Sequence, residues 1–158
     1  MGRPLVYEGN FVLYYCPELA DMSAPTVDEI TTDGTRLVEI PTDGISFGGS
    51  QNNASTPMLD SQRISQSPGT EDRNLTINFR RLDADDAMFD LWERDLQGYI
   101  VVSHDGVPTA DAEVLVYEGQ AHAPMPQDPS QDSHQQFQVT WAVSDWDEDA
   151  VVAAGGGG

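Results

Sequence analysis

Asn74-Leu75-Thr76-Ile77-Asn78-Phe79-Arg80-Arg81 alternates apolar and polar residues, and its reading decides the fold. Successive side chains of an extended chain point to opposite sides, so Leu75, Ile77 and Phe79 share one face while Asn74, Thr76 and Asn78 share the other. A period of two is the signature of a half-buried strand. Directly after it, Asp83 has the makings of an N-cap, and Asp85 and Asp86 sit where the dipole of a following helix favours acids. Phe89, Trp92 and Leu96 form an i, i+3, i+7 stripe that Met88 and Leu91 broaden, and Gly98 ends the segment. The pattern predicts a helix from Asp83 to Leu96. Tyr99-Ile100-Val101-Val102-Ser103 then resumes as a strand.

Outward from this unit, strand signals dominate. Leu5-Val6-Tyr7 and Phe11 to Tyr15, separated by Glu8-Gly9-Asn10, suit a short hairpin or bulged strand. Leu37 to Ile40, Gly44 to Phe47, Val114 to Tyr117 and Phe137 to Trp141 are further candidates, the last with scope to run on to Trp146. Pro25 near a start and acids in a first turn predict one short helix ending near Ile30. Roughly seven or eight consecutive strands with one flanking helix imply a mainly β fold, an antiparallel β-sandwich or partly closed barrel. The expected organisation is a single domain over residues 1–150, followed by a flexible, glycine-ended tail over 151–158.

Some stretches carry no apolar signal. Gly48 to Thr56 reads GGSQNNAST and is expected to be a mobile surface loop, as is Pro124 to Ser133, while Ser67-Pro68-Gly69 is expected to turn. Long loops in compact domains are usually functional or disordered, and Gly48, Gly49, Ser50, Gln51, Asn52 and Asn53 open the first of these.

Composition restricts function. Twenty-seven carboxylates face seven arginines and no lysine, a formal net charge of −20 over 158 residues. Such a surface repels phosphate backbones and anionic membranes, which are gripped by clustered cations. It is either a habitat signature of a saline or high-GC host, or a surface that lets another polyanion pass without sticking. The lone Cys16 excludes an internal disulfide and lacks a partner that would mark a nucleophile. His104, His122 and His134 are scattered without metal-ligand spacing, and Asp83-Ala84-Asp85-Asp86 lacks the later ligands of a calcium loop. No phosphate-binding or nucleophile motif is present, so no enzyme, metal or cofactor is expected. No segment is apolar enough to span a bilayer, and Glu8, Gly9 and Asn10 interrupt any secretory signal.

The order of features resembles a known family. Pro25-Thr26-Val27-Asp28-Glu29-Ile30, a polar Gly/Ser/Asn stretch, the strand Asn74 to Arg81, an Asp-rich turn into a helix, and Gly98-Tyr99-Ile100-Val101-Val102 look like the major tail tube protein of long-tailed, non-contractile bacteriophages and their archaeal virus relatives. The resemblance covers about residues 24 to 146. It implies a β-sandwich with a flanking helix that forms hexameric rings stacked into a hollow virion tail. Its implied partners are further copies of itself, the tape measure protein, and tail terminator or tail tip proteins. Viral DNA would pass through the lumen without specific binding. On this reading Gly48, Gly49, Ser50, Gln51, Asn52 and Asn53 are the candidate contacts between subunits or rings, and Glu39, Asp43, Asp60 and Glu71 are the candidate lumen-facing acids, although the facing depends on register. The tube of a secretion or contractile injection system shares the expected fold. An acidic sandwich that binds carbohydrate or decorates a capsid, with Trp92, Trp141 or Trp146 as a stacking platform, is the other alternative.

Overall fold

The computed structural model describes residues 12–41, 44–57, 64–84, 86–104, 106–127 and 135–154. In chain order its elements are β1 (Val12–Cys16), α1 (Val27–Thr31), β2 (Thr35–Leu37), β3 (Ile45–Pro57), β4 (Ile64–Arg80), α2 (Ala87–Leu91), β5 (Gln97–Ser103), β6 (Glu113–Ala121), β7 (Met125–Pro126) and β8 (Gln136–Val151). The strands form an antiparallel sheet in the order β2-β1-β5-β6-β8-β4-β3, with β7 on the flank of β8. The mainly β expectation holds, and the sheet is not closed into a barrel. Leu5 to Tyr7 and Phe11, expected in the first hairpin, lie outside the described residues.

The alternation along β4 is real. Leu75, Ile77 and Phe79 are buried, while Thr76 and Asn78 between them are only half-buried. The inward set joins Leu13, Tyr15, Ile100, Val102, Tyr117, Phe137, Val139 and Trp141 in one apolar cluster. Tyr15 on β1 and Trp141 on β8 have ring centroids 6.2 Å apart, although β5 and β6 separate their strands in the sheet. The sheet must therefore curl over this cluster. Trp92 fills its centre, edge-on to Tyr15 at 5.8 Å and to Trp141 at 6.1 Å. Edge-to-face packing of this kind adds about 0.5–1.5 kcal/mol per pair beyond the burial itself.

A second cluster lies on the opposite side of the same sheet. Val12, Tyr14 and Cys16 of β1, Val101 of β5, and Val114 and Val116 of β6 meet Ile30 of α1 and Val152 beyond β8. Burial on both sides explains the unbroken apolar run of β1. α1 begins in a capping box: the Glu29 amide donates to Thr26 Oγ1 at 3.2 Å, and the Thr26 amide donates to Glu29 Oε1 at 3.0 Å. Of the expected tail from Val151, residues 155–158 lie outside the described residues. Val151 and Ala153 donate to the carbonyls of Ser23 and Pro25, and Val152 is fully buried. A single valine at the right register is enough to pin this strand end.

Three further expectations are corrected. The predicted helix from Asp83 to Leu96 is only the five residues of α2, and Trp92 is already extended at ψ 121°. Asp95 takes a left-handed φ of 66°, and the amide of Asp95 and the carbonyl of Leu96 bond to Ala121. The backbone groups of β6 thus capture the segment that periodicity assigned to helix, while Trp92, Phe89 and Leu96 still reach the core. Asp83 is not the cap. Asp86 holds that position, its carboxylate taken by Arg81 Nε at 2.7 Å. The loop at Gly48 to Thr56 and the turn at Ser67 to Gly69 are neither: both belong to the long β3–β4 ladder.

Candidate functional site

The ladder between β3 and β4 extends well past the rest of the sheet. β4 pairs with β8 only from Asn74 to Arg80, yet it pairs with β3 as far out as Ile64. β8 beyond Ala142 pairs only with β6. The sheet therefore forks at Asn74 and Ala142, and one prong is a two-stranded arm. From Ile64 to Asn74 the arm reaches about 30 Å at ~3.3 Å per residue. Pairing is shifted between Gln51 and Asn53, and Pro68 sits opposite Asn53 at that irregularity. A proline cannot donate to a ladder, so a bulge is where a strand tolerates it.

The six candidate contact residues all lie on β3 of this arm. A side chain at Gly48 would collide with the Asn74 amide, and one at Gly49 with the carbonyl oxygen of Asp72. Glycine thus permits the close approach of the two strands. The backbone amide and hydroxyl of Ser50 both donate to the Asp72 carboxylate, at 2.6 and 2.8 Å. Gln51, Asn52 and Asn53 are exposed. These residues were expected in a loop because nothing apolar marks them, but backbone pairing needs no apolar side chain.

The candidate acids are not brought together. Glu39 has a left-handed φ of 62° and its carboxylate is held by Arg80, with Nε at 2.9 Å. Glu71 lies midway along β4, exposed and 3.7 Å from Arg73. Asp43 and Asp60 lie outside the described residues.

Between the prongs of the fork is an open cleft of about 520 Å³, walled by Phe47, Leu115, Tyr117, Arg73 and Glu148. Arg73 spans it, with Nε 3.1 Å from Glu148 and its guanidinium 5.1 Å from the Trp146 ring. Local sequence patterns missed this contact because its partners are 75 residues apart. Burial pushes the Tyr117 phenol up to about 12; Glu148 raises it further and Arg73 works against both. Burial, then Glu29 and Asp33, likewise push the Cys16 thiol up to about 12. Neither group is ionised near neutral pH, so neither suits nucleophilic or acid–base work.

Among the described residues no group of three or more His, Cys, Asp or Glu could hold a metal ion. No described helix is long and apolar enough to cross a membrane. Trp92 and Trp141 are 3% and 1% exposed, which removes them as a carbohydrate platform, and Trp146 is half-buried beneath Arg73. What the surface does offer is an edge and an arm, which suit assembly better than catalysis.

Comparison with known proteins agrees. No curated protein matches the chain. Residues 4–155, nearly its whole length, match the family described as phage tail tube protein. The chain belongs to the phage tail tube protein family, and is thereby a structural protein of the virion tail.

Proposed function

We propose that copies of this chain close into hexameric rings, and that the rings stack into the hollow tail tube through which viral DNA is delivered. The observation that carries this reading is the outer edge of β3. Twelve of its thirteen residues stand opposite residues of β4 on one side, and β3 ends the sheet. An uncharged edge strand of that length is a template for another chain, and closure into a ring satisfies it without open-ended aggregation. The arm supplies a reason for stacking. An isolated two-stranded ribbon is marginal in water and gains from a surface to lie on. Gly48 to Asn53 are therefore proposed as contacts between subunits or rings.

Glu71, exposed beside the fork, is the better placed of the two described candidate acids to face the lumen. Glu39 is neutralised by its ion pair with Arg80. Carboxylates there would keep a hydrated ion layer between wall and phosphate, and DNA would slide rather than bind. The tape measure protein would occupy the same lumen during assembly, and tail terminator and tip proteins would cap the ends.

Purified protein should form rings or tubes in negative-stain micrographs. Monomers alone, at high concentration and high salt, would overturn the reading. Assembly should strengthen with salt, because each copy brings a charge of −20 and the Debye length falls from about 10 Å at 0.1 M to about 3 Å at 1 M.

A further inference from the structure

The carboxylates are not spread evenly. On the side of the sheet away from the Leu75 cluster, β3, β4 and the first half of β8 present one row of Ser46, Thr76 and Thr140 and a second of Asn78 and Gln138, with Asn74 beyond. All are exposed or half-buried. No acid points outward from this patch until Asp72 at one end, and at the other Arg80 is already paired with Glu39. In a chain with 27 acids among 158 residues, this is a hydroxyl and amide face cut out of an anionic surface.

Two physical facts say what such a face is for. Covering an unpaired carboxylate costs several kcal/mol, so the cores of interfaces are depleted in charge. Ser, Thr, Asn and Gln retain donors and acceptors that a partner's backbone or amides can satisfy. The Asn78 Oδ1 is already shielded from solvent and accepts no hydrogen bond within the described chain. The chain contains a matching counterpart. Residues 44–59 and 64–70, which include all of β3 and the outer part of β4, carry no charged residue, and Asp60 and Arg63 lie in the sequence that joins them.

We propose that the outward face of β3, β4 and the first half of β8, centred on Thr76, is the seat of the β3–β4 arm from a second copy of this chain. The inference rests on the tube reading and adds to it the surface on which the arm lands. The two uncharged surfaces meet, and the carboxylates of both copies stay in water.

The test uses the full chain, whose native Cys16 is fully buried, so that alkylation reports an introduced thiol. Thr76→Cys should label readily in unassembled protein and lose that labelling in tubes, whereas Ala110→Cys on an exposed turn should label in both. Thr76→Asp should raise the concentration needed for assembly by about tenfold or more, and Ala110→Asp should not. A benzophenone attached at Asn53→Cys should, on irradiation of tubes, cross-link to the β4 or β8 peptides holding Thr76 or Thr140 in another copy. Full labelling of Thr76→Cys in tubes, or wild-type assembly of Thr76→Asp, would overturn the proposed seat. Protection of the face with cross-links mapping elsewhere would overturn the arm as its occupant. Failure of the wild-type chain to assemble under any condition would instead sink the tube reading, and this inference with it.

Discussion

One side of this sheet is treated in two ways. Over β1, β5 and β6 it is sealed: Val101, Val114 and Val116 are fully buried beneath α1 and the segment around Val152. Over β4 and the first half of β8 the same side is bare, carrying Thr76, Asn78, Gln138 and Thr140 at partial exposure. The other side of both regions feeds a single cluster. Stability is therefore concentrated where burial is two-sided. A subunit that must lie against copies of itself gains from this division. The sealed half holds the fold, and the bare half can be altered without unfolding it.

The largest expected effect tests the shared inner cluster. Phe79 stacks on Phe137 at 5.2 Å and packs against Trp92 at 5.9 Å. Phe79→Ala should cost about 3–5 kcal/mol in urea unfolding. A cost below 1 kcal/mol would mean that the cluster does not carry the fold. Next comes the strand crossing at Gly119, where an added Cβ would meet the carbonyl oxygen of Ala142. Gly119→Ala should destabilise by about 1–3 kcal/mol as β6 and β8 are forced apart, and an unchanged midpoint would refute that close approach.

Smaller effects probe the seal itself. Thr26→Ala should remove the α1 cap at a cost of about 1 kcal/mol. Burial pushes the Glu29 carboxyl up, but hydrogen bonds from Thr26 and the Ala20 amide outweigh it and hold it below its ordinary 4.5. A depressed folded value means that this contribution is present above pH 4.5 and is lost as pH falls through the folded value. Glu29→Gln should accordingly flatten the acid limb of stability against pH, and an unchanged slope would remove the cap from the account. Smallest of all, Thr76→Ala, on the same strand as Phe79 but facing out, should shift stability by no more than about 0.5 kcal/mol. A loss comparable to that of Phe79→Ala would erase the distinction between the two sides.

These contrasts also explain what could be read in advance. The inward residues of β4, β5, β6 and β8 were legible because apolar alternation records which side a core will cover. The Thr26–Glu29 cap was equally local. The arm was not legible, since GGSQNNAST pairs with β4 through backbone groups that every sequence possesses. The helix was overextended because Phe89, Trp92 and Leu96 satisfy a helical stripe on paper, while the free carbonyl of Ala121 offers Asp95 a better partner. Arg73 with Glu148 and Trp146 was invisible for want of any local pattern.

By itself, then, the sequence determined the mainly β character, the inward residues of its main strands, a charge of −20 that opposes a cationic grip on nucleic acid, and a resemblance strong enough to name the family. Tertiary structure decided the strand order, the fork at Asn74 and Ala142, the shortening of α2, and the grouping of uncharged residues from β3, β4 and β8 into one face. The division has a physical cause. Burial preference is a property of each side chain and its spacing, whereas pairing is a competition among backbone groups that is resolved only when distant segments meet.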